Sequence, residues 1–204
     1  MLFRQPEEYV RFLELLSQSL TKFKVNLWGY CLMGNHWHLV AEVEAVSQLS
    51  RWMHWLCNRH VRRAHGKNKG LGGGHIYQGR YKSFPIQDES YLYNVLRYVE
   101  ANPLRARLVS RAENWPWSSL SRTPVYDGLV EIPRPRLAPW DRGEHWQSEV
   151  NAPLPLAGLD SLRQSVARGT PQGQPQWIAN LTSANGMEST VRARGRPRKL
   201  VSKE

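Results

Sequence analysis

Apolar positions first fall at helical spacing, with Tyr9, Phe12, Leu13, Leu16, Leu20 and Phe23 recurring every three or four residues. Pro6 at a first turn, with Glu7 and Glu8 beside the positive end of the helix dipole, predicts that an amphipathic helix starts there. The period then changes. Val25 to Met33 and His36 to Val43 are β-prone runs split by Gly34-Asn35, which predicts a tight hairpin turn. Ser47 is the expected cap of a second helix, with Leu49, Trp52, Met53 and Leu56 on its core side and Arg51, Asn58, Arg59, Arg62 and Arg63 largely elsewhere. Gly70, Gly72, Gly73 and Gly74 mark a loop, and Ile76 to Ile86 reads as a further strand. Asp88 offers the cap of a third helix whose apolar stripe is Leu92, Val95, Leu96 and Val99 and which Pro103 ends. On this reading Tyr98 points away from the stripe.

The expected class is α+β, an antiparallel sheet with helices on its faces. From about Thr123 periodicity fades and Pro124, Pro133, Pro135, Pro139, Pro153 and Pro155 punctuate the chain, which divides it into a domain at 1–122, a Pro-rich linker at 123–164 and a basic extension at 165–204. No internal repeat is visible.

Composition narrows the function. With 41% hydrophobic residues and nine Trp the chain can build a core, and 28 Lys+Arg against 17 Asp+Glu leave a net charge of +11. Such an excess fits a partner made of phosphates. Cys31 and Cys57 are the only cysteines, which excludes a disulfide framework or a cysteine zinc site. The first residues hold no apolar signal core, and no window has the roughly 18 apolar residues of a membrane span, so a cytoplasmic, nucleoid-associated protein is expected.

Four groups of residues could carry chemistry or meet phosphates. His36 and His38, two apart on a strand, project from one face, with Trp37, Leu39, Ala41 and Val43 on the other. Two such imidazoles can chelate a divalent ion and leave positions open for a phosphate oxygen and water, although strand histidines without a metal role are common. Tyr98 and Asn102, four apart, share a helix face: either a nucleophile and an oxygen ligand, or a packing aromatic and a helix-ending polar residue. Arg59, Arg62, Arg63, Arg80, Lys82, Arg105 and Arg107 supply charge for phosphates, and Tyr77, Tyr81, Trp115 and Trp117 could serve as stacking platforms. At the end, Arg192, Arg194, Arg196, Arg198 and Lys199 follow one another without an acid. Their Arg-Gly-Arg-Pro core resembles an AT-hook suited to a narrow minor groove, and a basic tail that touches phosphates nonspecifically is the other reading.

In order, Gly34-Asn35-His36-Trp37-His38-Leu39, Gln78-Gly79-Arg80-Tyr81-Lys82, Arg97-Tyr98-Val99-Glu100-Ala101-Asn102-Pro103-Leu104-Arg105-Ala106 and Trp115-Pro116-Trp117-Ser118-Ser119 resemble the REP-associated tyrosine transposases. These are a branch of the single-tyrosine HUH nucleases, named for His-hydrophobe-His. The likeness runs from about Glu7 to Leu120 and resumes at Ser165 to Pro171 and at Met187 to Lys199. It implies a ferredoxin-like sheet, Mg²⁺ or Mn²⁺ on His36, His38 and Asn102, and Tyr98 as a nucleophile that leaves a 5′-phosphotyrosine and a free 3′-hydroxyl. The implied substrate is single-stranded or hairpin DNA of the repetitive extragenic palindrome type. Members usually begin with a strand of the type Tyr-His-Val-Thr-x-Arg-Gly, whereas this chain opens at the first helix, so the sheet is expected to lack that strand.

Three functions compete at this stage. The first is a metal-assisted DNA transesterase, and the second a truncated or inactive DNA-binding relative that the lacking strand would favour. The third, a metal hydrolase using water, has no obvious carboxylate base near the histidine hairpin.

Overall fold

The computed structural model describes residues 1–67, 75–121 and 144–192. The glycine loop, the prolines from Pro124 to Pro139, and Arg194, Arg196, Arg198 and Lys199 lie outside the described residues. The described chain is α+β, a two-stranded antiparallel sheet with seven α-helices.

Helix α1, Pro6–Phe23, begins where expected, with Pro6 in its first turn and the Glu8 carboxylate accepting from the Gln5 N–H at 3.2 Å. It buries Tyr9, Phe12, Leu13, Leu15 and Leu16, adding Leu15 to the expected stripe. Lys24 ends it in the left-handed region, φ 52°, with its N–H on the Leu20 carbonyl. Strands β1, Asn26–Met33, and β2, His36–Glu42, pair antiparallel across the Gly34-Asn35 turn, with Cys31 opposite His38 and Met33 opposite His36. The register shifts between Leu27 and Gly29, a bulge-like irregularity at Trp28. The outer edge of β1 is covered by residues 117–119: Leu32 N–H donates to the Trp117 carbonyl and Ser119 N–H to that of Tyr30, both at 2.9 Å.

Helix α2, Val46–Lys67, packs on α1. Trp52, Met53 and Leu56 are buried as expected, and Trp52 Nε1 donates to Ser19 Oγ at 2.7 Å, which satisfies both polar groups inside the core. Ser47 is not the cap. The helix already includes Val46, and the Gln48 side chain accepts from Glu44 N–H at 2.6 Å and donates to the Phe23 carbonyl, which ties the start of α2 to the end of α1. The first core joins α1, α2 and the Leu27–Tyr30–Leu32 face of β1, with Trp37, Leu39 and Ala41 packed against it. The face of β2 assigned to the core is therefore the one observed.

The histidine face is covered as well. Helix α3, Glu89–Glu100, opens at Asp88, whose carboxylate accepts from the Ser90 and Tyr91 N–H groups, as the sequence predicts. It lies over Cys31, Met33 and Val40, and together with Leu120, Trp146, Val150 and Leu162 these build a second core. Helix α4, Asn102–Arg105, continues the chain at once.

Two expectations fail here. Ile76 to Ile86 forms no strand; only Ile86 makes a bridge, to Gln172, because no neighbouring strand is available to pair the rest. Tyr98 does not point away from the core: it is 9% exposed within the second core. Every residue from Val95 to Glu100 is buried, because α3 has the hairpin on one side and helices on others. Those helices are α5, Glu144–Asn151, which falls within the stretch 123–164 where proline frequency predicts a linker, and α6, Leu156–Arg168, which starts there and crosses its expected end. Trp146 of α5 is 1% exposed, its Nε1 donating to Glu100 at 2.7 Å and its ring edge-on to Tyr93. Beyond α6, residues 170–174 dock on 85–87, with Gln172 accepting from Gln87 N–H and donating its own N–H to the Pro85 carbonyl. Helix α7, Pro175–Ala184, follows.

Candidate active site

The hairpin sets the two imidazoles. Alternation along β2 puts His36 and His38 on the face away from Trp37 and Leu39, with ring centroids 4.9 Å apart. His36 is exposed beside the turn, its Nδ1 2.6 Å from Asn35 Oδ1; His38 is half-buried under α3. Burial holds both below the usual histidine range, His38 to about 3, where the neighbouring His36 and Arg105 push the same way. Both are therefore neutral at pH 7, the state in which an imidazole nitrogen can act as a metal ligand.

Helix α3 brings Tyr98 to this pair. The Tyr98 ring stands edge-on to His38, centroids 6.2 Å apart, and its other side is covered by Arg105, whose guanidinium carbon lies 4.1 Å from the ring centroid. Arg105 is fixed from α4: its Nη2 donates to the Tyr98 carbonyl at 2.6 Å and to Asn102 Oδ1 at 2.9 Å. Asn102 Nδ2 donates back to the Val99 carbonyl at 3.3 Å. Burial lowers the Arg105 guanidinium from its ordinary value, but a guanidinium of this kind remains charged at pH 7. Its Nη1 is buried and has no hydrogen-bond partner among the described residues. A cation, a phenol and two neutral imidazoles thus converge where α3 crosses the hairpin.

Residues 2–102 match the family model described as transposase, IS200 like. Over that segment the chain belongs to the IS200-like transposases. Comparison with curated proteins and with solved structures gave no match. DNA is accordingly the partner of an IS200-like transposase such as this one, and no described helix is long and apolar enough to cross a membrane.

Toward a divalent cation the hairpin would offer two imidazole nitrogens, and no cluster of three or more His, Cys, Asp or Glu side chains that could hold a metal occurs among the described residues. The imidazoles fit a divalent cation. Asn102 Oδ1 already accepts from Arg105, so one of its lone pairs is engaged.

The structure sorts the expected phosphate contacts. Arg59 and Arg62 are exposed on α2, Arg80 is exposed, and Arg107 is exposed with φ 57° just past α4. Arg63 pairs with Glu14 at 3.2 Å, and Lys82 Nζ donates to the Ala167 carbonyl at 2.7 Å. Of the proposed stacking aromatics only Tyr81, at 38%, is well exposed. Trp117 is stacked inside on Tyr9 at 4.5 Å, Trp115 Nε1 donates to the Leu32 carbonyl, and Tyr77 Oη is held between Trp37 Nε1 and His60 Nδ1.

Sequence reasoning missed Glu100, which is fully buried and accepts from Ser119 Oγ at 2.6 Å and Trp146 Nε1 at 2.7 Å. The carboxylate thereby ties α3, two residues past Tyr98, to the strip that edges β1 and to α5. A signal was present: Glu100 lies four residues after Leu96, on the apolar stripe, where an acid has no place unless it is paired.

Proposed function

We propose that this transposase is a single-stranded DNA endonuclease in which Tyr98 attacks a backbone phosphodiester at hairpins of the REP type. The observation that carries the reading is Tyr98 held between His38, at 6.2 Å between centroids, and the Arg105 guanidinium, 4.1 Å from its ring. The Tyr98 Oη–phosphorus bond forms as the phosphorus–O3′ bond breaks. The phenolic proton passes to water and the departing 3′ oxygen takes one up, leaving a 5′-phosphotyrosine and a 3′-hydroxyl.

The protein's own part is placement and charge. Arg105, anchored at Asn102 and the Tyr98 carbonyl, fixes the ring, and its positive charge offsets negative charge gathering on the phosphate. The unpartnered Nη1 offers a donor that a phosphate oxygen would satisfy. His36, His38 and Asn102 would hold Mg²⁺ or Mn²⁺, which when bound acts as a Lewis acid on that phosphate. Arg59, Arg62, Arg80 and Arg107 would meet the flanking backbone, and Arg194, Arg196, Arg198 and Lys199 of the tail duplex DNA beside the hairpin.

A DNA-binding relative that does not cut is the second reading, favoured by the engagement of Asn102 Oδ1 with Arg105. Labelled hairpin DNA separates the two. The wild type should yield an SDS-resistant protein–DNA adduct that needs Mg²⁺ or Mn²⁺. Tyr98→Phe should abolish the adduct with binding nearly intact, and His36→Ala and His38→Ala should lose it as well. An undiminished adduct in Tyr98→Phe refutes the nucleophile, chelator-resistant cutting removes the metal, and binding without any adduct establishes the second reading.

A further inference from the structure

We infer that the hollow between the end of α1 and the middle of α2 is a stacking subsite for an unpaired base of single-stranded DNA. The inference rests on the DNA-processing reading above but uses none of its catalytic residues. Phe23 and Trp55, both half-buried, form its apolar floor, their rings at 65° with centroids 6.0 Å apart. The hollow measures about 660 Å³, a size that admits a base with its sugar.

Its rim decides what fits. Arg51, four residues before Trp55, and Arg59 and Arg62, four and seven after it, share its face of α2 at helical spacing and are exposed. None of them pairs with a carboxylate among the described residues, in contrast to Arg63, which Glu14 neutralises. The Arg59 guanidinium lies over the Trp55 ring, its carbon 5.5 Å from the ring centroid, a place that a base stacking on Trp55 would share or take over as the arginine turns to a phosphate. An apolar peptide would leave these three charges without counterparts, whereas a nucleic-acid strand supplies a flat π-face for Trp55 and phosphates for the arginines. A second aromatic continues the track. Tyr81, 38% exposed, reaches the rim with its Oη 3.5 Å from Ser50 Oγ, and exposed Arg80 precedes it. Helices α1 and α2 cover the face of the hairpin opposite α3, so a base held here belongs to the flank of the strand and not to the reacting phosphodiester.

The test compares fluorescence anisotropy of labelled oligothymidylate with that of an abasic sugar–phosphate oligomer of equal length and charge. The full chain should bind the thymidylate more tightly. Trp55→Ala should weaken thymidylate binding roughly 5- to 150-fold, the range of one lost base stack, and leave abasic binding nearly unchanged. Trp55→Leu, which keeps apolar volume under the hollow, should behave like the alanine variant, and Trp55→Phe should retain most of the base preference. Replacing Arg51, Arg59 and Arg62 together by Gln should weaken both probes alike and flatten the salt slope by about 2, at ~0.7 per phosphate contact. Equal losses on both probes in Trp55→Leu, or no base preference in the wild type, would overturn the subsite. A preference for oligouridylate over oligothymidylate would reassign it to RNA. Adduct formation at saturating DNA should survive in Trp55→Leu. A normal adduct with no Trp55-dependent base preference overturns this inference alone, and a Trp55-dependent preference with no adduct overturns the active-site reading alone.

Discussion

Replacing Trp146 tests whether α5 belongs to the fold that holds Tyr98 or to a spacer. Its indole is 1% exposed, edge-on to Tyr93 at 5.0 Å between centroids, and donates to Glu100 at 2.7 Å. Trp146→Phe keeps an aromatic ring, smaller than the indole, and deletes a hydrogen bond to a carboxylate, a loss of about 1.5–3 kcal/mol. Trp146→Ala also removes the ring and opens a cavity between α5 and α3, which brings the total to about 3–5 kcal/mol. Against the ~5–15 kcal/mol typical of a folded protein, the alanine variant should lose about a fifth or more of its stability. Urea unfolding followed by far-ultraviolet circular dichroism reads this directly, without relying on tryptophan emission. The order should be wild type, then Phe, then Ala, and adduct formation should slow in the same order as α3 loosens. An alanine variant within about 0.5 kcal/mol of wild type would behave as a surface substitution, and α5 would then not be docked. Equal losses in both variants would place the whole contribution in the hydrogen bond and none in the packing.

Gly29→Ala places a methyl group 2.6 Å from Leu96 Cδ2 and 3.3 Å from Ser119 Oγ; Leu96 is fully buried and can yield little, so a loss of about 1–3 kcal/mol is expected. Thermal unfolding should fall by several degrees, and an unchanged Tm would contradict this packing of α3 on β1. Acid should also weaken the fold. His60, among Phe3, Phe12 and Tyr77, is lowered by burial to about 4, while Glu8 opposes that shift; unfolded, it takes up its proton near 6.5. Between those values the unfolded chain binds the extra proton, so stability is complete above about 6.5 and is lost as pH falls towards 4, by up to ~1.4 kcal/mol per pH unit for a fully titrating group. Denaturation midpoints measured across that window should slope, and His60→Phe should flatten the slope; an identical slope in the variant would show that His60 does not titrate on unfolding.

The hairpin was legible because its signals are local. A period of two, the Gly34-Asn35 turn and apolar Trp37, Leu39 and Ala41 at alternate positions place both histidines on one face without reference to the rest of the chain. The apolar spacing of α1 and the cap at Asp88 are equally local. The surroundings of Tyr98 are not. Its burial depends on Trp146 and Leu162, dozens of residues onward, in a stretch whose prolines announce an absence of regular structure. Covered on several sides, α3 needs no single apolar stripe, and so a helical wheel puts Tyr98 in solvent. Ile76 to Ile86 shows the converse error. Its β-propensity is real, but a strand needs a partner, and here the outer edge of β1 is taken by 117–119. Arg105 was legible as a charge, but not as the lid of a phenol ring seven residues earlier.

The family match ends at residue 102, and within it lie His36, His38, Tyr98 and Asn102. What keeps them together lies after it: Arg105 on the ring, Ser119 and Trp146 on the Glu100 carboxylate. A ribosome that has released residue 102 has therefore made all four of those side chains and none of these braces. The Glu100 end of α3 gains its brace only once α5 has emerged, more than forty residues later, so synthesis itself delays the firm seating of Tyr98 against the histidines. The same order makes any fragment that stops at residue 102 a chain with these four side chains but without the grip that aligns them.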